Sequence, residues 1–210
     1  MAGRPRSTEC DRAILDAVLV EYARRGLEAM SVDAVAARAG VSKATIYRRY
    51  PSKVDLVIAA ALMLCEETTP RLDGDSLDDD LRAYLHNLAR AIADPVFGAA
   101  KRTLLFDAAN HEGLAQFHRT LVTTRRAQVV AMFRRAIARG EMRDDVDLEF
   151  ATDQLTAPLF YRHLLMRVEV DEAYVERVVA EFLERYGTRE RAAARPVSRL
   201  AAREPSRAAP

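Results

Sequence analysis

Residues 31–50, with the sequence SVDAVAARAGVSKATIYRRY, decide the fold expected for this chain. They form two short segments of helical period separated by a Gly-Val-Ser turn at 40–42. Glycine tolerates the left-handed backbone that ends one helix abruptly, and serine caps the next helix. Val35 and Ile46 are spaced to pack the two helices together. The stretch therefore predicts a helix-turn-helix whose second helix enters the major groove of double-stranded DNA.

The second helix of this motif carries side chains suited to DNA contact. Arginine pairs with guanine, basic and hydroxyl groups bind phosphate, and threonine can touch a thymine methyl. Lys53 begins the next helix, where a cation opposes the helix dipole, and a phosphate at that helix end would account for it. Capping of their own helices explains Ser31 and Ser42 equally well. The predicted DNA-binding residues are Ser31, Ser42, Lys43, Thr45, Tyr47, Arg48, Arg49 and Lys53.

Charge and composition favour a globular protein that meets a polyanion at one end. Of 210 residues, 50% are hydrophobic, and the net charge is +1. Residues 1–53 hold ten Lys or Arg against six Asp or Glu, an imbalance that ordinary scatter also produces. The longest apolar run, Leu56 to Cys65, has ten residues, far short of the ~20 that span a bilayer. No signal peptide or paired cysteines are evident, so we expect a cytoplasmic protein without a membrane partner.

Helical periodicity without period-two alternation predicts an all-α fold of about nine helices. Thr8 and Asp11 resemble a capping box at the start of the first helix. The expected helices cover about 8–25, 32–39, 43–49, 53–65, 77–93, 96–109, 113–139, 147–168 and 171–186. The expected domains are a flexible arm at 1–7, a DNA-binding domain at 8–68, a regulatory and dimerisation domain at 69–187 and a disordered basic tail at 188–210.

Residues 8–68 resemble the N-terminal domain of the TetR family of transcriptional regulators, and ATIYRRYPSK at 44–53 matches its most characteristic segment. The resemblance implies a homodimeric repressor that binds a palindromic operator and is released by a small-molecule effector. It implies phosphate contacts from Tyr47 and Lys53. Residues 3–6 are similar to an arm that some members lay in the minor groove, and a disordered terminus is an equal alternative. Base or backbone contacts would come from Lys43, Thr45 and Arg49.

The last two predicted helices are the expected dimer interface. Two copies of the helix-turn-helix must stand about one DNA turn, ~34 Å, apart, and an interface in the body would hold them there. Pro158 removes a backbone hydrogen bond and should bend the penultimate helix. The alternative is that the same residues pack inside one protomer. The expected interface residues are Leu155, Leu159, Arg162, Phe182 and Tyr186.

A ligand pocket is expected among the helices of the body. Phenylalanine or methionine at helical spacing is more often core than pocket wall, so each assignment competes with simple burial. His111 and His118 could share a helix face, but no third ligand is spaced to complete a metal site. The expected pocket residues are Met63, Phe97, Leu105, Phe106, Asn110, His111, Phe117, Phe133, Gln154, Phe160 and Tyr161.

Two other functions compete with a regulator. The sequence lacks the phosphate-binding, dinucleotide-binding, nucleophile-elbow and HExxH patterns that mark common enzyme classes, so we expect neither an enzyme nor a cofactor. An architectural DNA-binding protein remains possible from the motif alone. It would show little sequence preference and no response to small ligands.

Overall fold

The computed structural model describes residues 5–68 and 70–188, and within them the all-α fold is confirmed. A single isolated β-bridge joins Met142 and Gly187. No helix among the described residues is long and apolar enough to cross a bilayer. The arm at 1–4 and the tail from 189 onward lie outside the described residues. The helices are α1 (Pro5–Ala29), α2 (Val32–Ala39), α3 (Lys43–Arg49), α4 (Lys53–Thr68), α5 (Leu77–Ala93), α6 (Phe97–Asp107), α7 (Glu112–Ala138), α8 (Leu148–Phe160), a π-helix (Tyr161–Leu165) and α9 (Glu172–Tyr186).

Local capping sets the boundaries of α2, α3 and α4 where the sequence predicts them. The Ser31 hydroxyl accepts the backbone N–H of Ala34 at 3.3 Å and begins α2. Gly40, at φ 67° and ψ 30°, ends that helix in the left-handed region. Ser52 and Asp55 exchange hydrogen bonds of 3.1 Å, a capping box that starts α4. These caps fix the short, abrupt turn on which the helix-turn-helix depends.

The first helix differs from its prediction at its start. It begins at Pro5, so Thr8 lies inside the helix and the expected capping box at that position is wrong. Helical geometry is lost at Gly26, with φ 72° and ψ 177°, directly after the predicted end near residue 25, and a short helical piece follows this kink as far as Ala29. Glycine tolerates a positive φ, which lets the chain change direction there.

Two hydrophobic cores organise the fold. One contains the buried faces of α1 to α4 together with Ala100 and Leu104 of α6 and Leu114 of α7. The other contains α5, the second half of α7, α8 and α9. Packing therefore crosses the predicted domain boundary at residue 69, because α6 shares a core with the helix-turn-helix. The body and the DNA-binding helices are joined through α6 and the start of α7.

The structure corrects the expected dimer interface. Leu155, Leu159, Phe182 and Tyr186 are buried in the second core of one protomer, so they are not available to a partner. The ring of Phe182 stacks on Phe133 with centroids 5.3 Å apart. The apolar stripes of α8 and α9 face their own chain, as the alternative reading predicted.

The fifth expected interface residue, Arg162, also contacts its own chain. Its Nε donates to the carbonyl oxygen of Glu169 at 2.8 Å, and its guanidinium lies 4.4 Å from the ring centroid of Tyr174. Pro158 is accommodated inside α8, and the backbone becomes π-helical three residues later. A residue without an N–H promotes such local irregularity.

Candidate DNA-binding surface and effector cavity

The third helix presents its polar side chains outward, as recognition of a duplex requires. Ile46 of α3 is fully buried, whereas Lys43, Tyr47 and Arg48 of the same helix are exposed. Tyr47 shows 44% of its surface to solvent, a large value for an aromatic residue that could have packed inward. Among the described residues, none forms an ion pair or hydrogen bond with Arg48. One face of α3 therefore anchors the helix, and the opposite face is open.

The hydroxyl groups near α3 are engaged in local structure. The Ser42 oxygen accepts the N–H of Thr45 at 3.2 Å and lies 2.9 Å from the Thr45 hydroxyl oxygen. Ser31 caps α2 in the same way. Both serines therefore cap their own helices, and their contact with phosphate stays a prediction.

Two basic residues of α3 have carboxylate partners that the sequence does not reveal. Lys43 Nζ lies 2.8 Å from Asp33 on α2, and the hydrogen bond to Asp33 raises the pKa of Lys43. Arg49 pairs with Asp11 on α1, and that hydrogen bond raises the pKa of Arg49. Both side chains of the Lys43 pair are largely exposed, and such pairs contribute little to the stability of a fold. A phosphate can therefore replace Asp33, while the part-buried Arg49 fixes α3 against α1.

Hydrogen bonds to the end of α1 explain why a lysine, Lys53, stands in the first turn of α4. Its Nζ donates to the carbonyl oxygens of Glu28 at 2.9 Å and Leu27 at 3.5 Å, both at the end of α1. A cation at a helix C-terminus satisfies free carbonyl groups and interacts favourably with the dipole. The phosphate invoked to explain a cation at the start of α4 is therefore unnecessary, and phosphate contact by Lys53 stays a prediction.

A cavity of about 500 Å³ lies between the DNA-binding helices and the body. Residues of α1, α4, α5, α6, α7 and α8 line it. Of the predicted pocket residues, the structure places three in this wall, namely Phe97, Leu105 and Phe160.

The other eight expected pocket residues lie elsewhere, for three physical reasons. Phe133 is completely buried in the second core, and Met63 and Phe117 pack against the first core. Phe106 and Tyr161 face solvent, at 75% and 57% exposure. The polar members also lie outside the wall: Asn110 and Gln154 are exposed, and His111 pairs with Glu28 at 3.1 Å.

The sequence analysis missed the polar groups that do line the cavity. Lys101 lies in the wall, its Nζ 4.5 Å from the ring centroid of Phe160, and burial lowers the pKa of Lys101 to about 8. Burial and the charge of Lys101 lower the pKa of His118, which lies in the same wall. A signal existed: Lys101 is one of three lysines in the chain and follows Phe97 by one helical turn. No cluster suited to a metal ion occurs in the described ranges.

Comparison with known proteins identifies the family. Residues 14–60 match the model of bacterial regulatory proteins of the tetR family, and 72–182 match the tetracyclin repressor-like C-terminal domain. The chain is 33% identical to the HTH-type transcriptional regulator YdeS of Bacillus subtilis, covering 84% of this chain and 89% of that protein. It is 30% identical to the DNA-binding transcriptional repressor TetR of Mycobacteroides abscessus, covering 81% and 90%.

A solved structure has the same fold. A TetR transcriptional regulator from Chloroflexus aurantiacus superposes with a TM-score of 0.68 at 19% identity, covering 87% of this chain and 98% of that one. Regulators of this kind bind DNA and are not enzymes. The two family models, the relatives and the exposed face of α3 agree: the chain belongs to the TetR family of transcriptional regulators.

Proposed function

We propose that this regulator is a cytoplasmic, homodimeric repressor that binds a palindromic operator and is released by a small-molecule effector. The observation that carries the proposal is the exposed polar face of α3 above the buried Ile46. The name of the repressor from Mycobacteroides abscessus supports repression as the direction of control. The cavity beside α6 supports an effector, because it is of a size, ~300–1,000 Å³, that small-molecule sites commonly have.

The outward face of α8 and the π-helix supports the homodimer. Phe150, Tyr161 and Leu165 are exposed large apolar side chains that recur at helical spacing along this face. They point away from the buried stripe of Leu155 and Leu159. Exposed apolar patches on soluble chains commonly mark interfaces, and a two-fold dimer uses one patch twice. We place the dimer contact on this face.

Selection from random duplex DNA with the purified full chain tests the proposal. An inverted repeat with half-sites about one DNA turn apart would support it. Recovery of sequences without a common repeat would contradict it and favour an architectural binder.

The same selection is repeated with the Arg48→Ala variant. Arg48 has no hydrogen-bond or ion-pair partner among the described residues, so its removal breaks no such contact within the protein. The variant should enrich the repeat poorly while keeping its fold. Arg134→Ala, on the exposed side of α7, is the control and should select the same repeat as the unmodified chain.

A further inference from the structure

The cavity beside α6 is apolar over most of its wall but carries an excess of positive charge. Leucine, valine, alanine and phenylalanine side chains dominate the lining. Within the described part of the chain, the lining contains no Asp or Glu. Its charged or titratable nitrogen-bearing residues are Lys101, His118, Arg125 and Arg126.

Of the three cationic groups, only Lys101 has no hydrogen-bond or ion-pair partner in the described part of the chain. Arg126 is neutralised by Glu149 and Asp153. Arg125 Nη2 donates to the carbonyl oxygen of Cys65 at 3.0 Å. Lys101 has neither a hydrogen bond nor an ion pair within residues 5–68 and 70–188, and its ammonium group lies over the ring of Phe160.

An ammonium group held in an apolar wall costs free energy unless an anion compensates it. The lowered pKa of Lys101 reflects that cost, since desolvation disfavours the charged form. No carboxylate of the cavity lining offers compensation. An anionic group on a molecule that fills the cavity would supply this compensation.

We propose that the cavity binds an apolar small molecule bearing one carboxylate, which pairs with Lys101. A carboxylate satisfies the one cation without a hydrogen-bond partner, Lys101, and leaves Arg125 on the carbonyl oxygen of Cys65. A phosphate monoester brings ~1.5–2 charges and three acceptor oxygens, more than a single unpartnered ammonium group can satisfy. The rest of the wall is suited to an aliphatic or aromatic body. This inference rests on the proposed function, because it names the chemical class of the effector.

Calorimetric titration of the full chain with dodecanoate, dodecanol and dodecylamine tests the charge requirement. These probes share one apolar body and carry a negative, a neutral and a positive head. Dodecanoate should bind about 10- to 100-fold more tightly than dodecanol, the range for a hydrogen bond to a charged group. Equal or tighter binding of dodecanol or dodecylamine would overturn the inference, and this comparison needs no variant to fold.

The Lys101→Met variant tests the residue. It should lose the preference for dodecanoate while binding dodecanol as before, and Arg134→Met, on the solvent side of α7, should retain the preference. A preference that survives in Lys101→Met would overturn the role of Lys101. Circular dichroism confirms that both variants remain helical.

Because the calorimetry contains no DNA, it tests the ligand class separately from the proposed function as a repressor. A chain that prefers dodecanoate but selects no operator would contradict the proposed function and leave the ligand class supported. A chain that binds an operator but shows no preference for dodecanoate would contradict the ligand class alone.

Discussion

The affinity for a carboxylate ligand should depend on pH because Lys101 loses its proton in an accessible range. Burial lowers the pKa of Lys101 to about 8, so about 90% of the chains carry the ammonium at pH 7 and about 10% at pH 9. If dodecanoate binds the protonated form, its apparent affinity scales with that fraction. Raising the pH from 7 to 9 should therefore weaken binding about tenfold.

The midpoint of this effect separates Lys101 from His118. The lowered pKa of His118 keeps that imidazole neutral over the whole range, so it adds no charge change. Calorimetry at intermediate pH values should place the midpoint of the loss near pH 8 in the unmodified chain and remove it in Lys101→Met. The titratable or charged groups that share the cavity wall with Lys101 are Tyr22, Cys65, Tyr84, His118, Arg125 and Arg126, from α1, α4, α5 and α7.

Two controls decide whether Lys101 is responsible. Cys65→Ala should keep the loss of affinity but move its midpoint to lower pH, because the charge of Cys65 raises the pKa of Lys101. The affinity for dodecanol should not change with pH, because its neutral head group forms no ion pair with Lys101. A dodecanoate affinity that changes less than about twofold between pH 7 and 9, or an equal change for dodecanol, would refute the reasoning.

Four further outcomes are expected. Arg48→Ala should lower operator affinity about tenfold in a mobility-shift assay with the melting temperature unchanged, and unfolding of the variant would show that Arg48 is structural. Gly40→Ala should lower the free energy of unfolding by about 1–2 kcal/mol because its φ is 67°, and unchanged denaturant stability would contradict this. Tyr161→Asp should sediment as a monomer if α8 is the interface; a persistent dimer would place it elsewhere. Asp107→Ala should reduce the effect of dodecanoate on operator affinity without abolishing dodecanoate binding, and an unchanged ratio of affinities would exclude Asp107 from coupling.

Elements governed by local chemistry could be predicted from the sequence. Ser31, Gly40 and the Ser52–Asp55 box each act within four residues of the helix end that they set, so their effect is visible in a short window. The bounds of α5 and α9 follow from amphipathic patterning in the same way. Such signals do not depend on what the helix packs against.

Which face of a helix packs against the core, and which is exposed, could not be predicted in this way. α8 and the π-helix that follows it carry two apolar faces, one with Leu155 and the other with Phe150 and Tyr161, and periodicity does not tell which meets the core. The Arg49–Asp11 pair joins residues 38 positions apart, and no local pattern links them. The cavity wall is assembled from six helices, so most of its residues were missed.

The structure links the cavity to the DNA-binding helices through α6. Lys101 lies in the cavity wall, and Asp107, at the end of the same helix, accepts the N–H of Leu27 at 2.9 Å beside the break at Gly26. Burial and the charge of Asp107 raise the pKa of Tyr22, another cavity residue, so that the hydroxyl stays neutral.

Two groups one and a half turns apart on one helix move together, because a hydrogen-bonded helix is stiff over that length. If ligand binding at Lys101 moves the backbone of α6, it therefore also moves Asp107 against α1. Such a shift changes operator affinity only if the ligand binds one arrangement of α6 more tightly than the other, typically by about 1–3 kcal/mol. Lys101 can supply that difference if the carboxylate reaches hydrogen-bonding distance of its ammonium group in only one arrangement, because hydrogen bonds weaken steeply outside a narrow range of distance and angle.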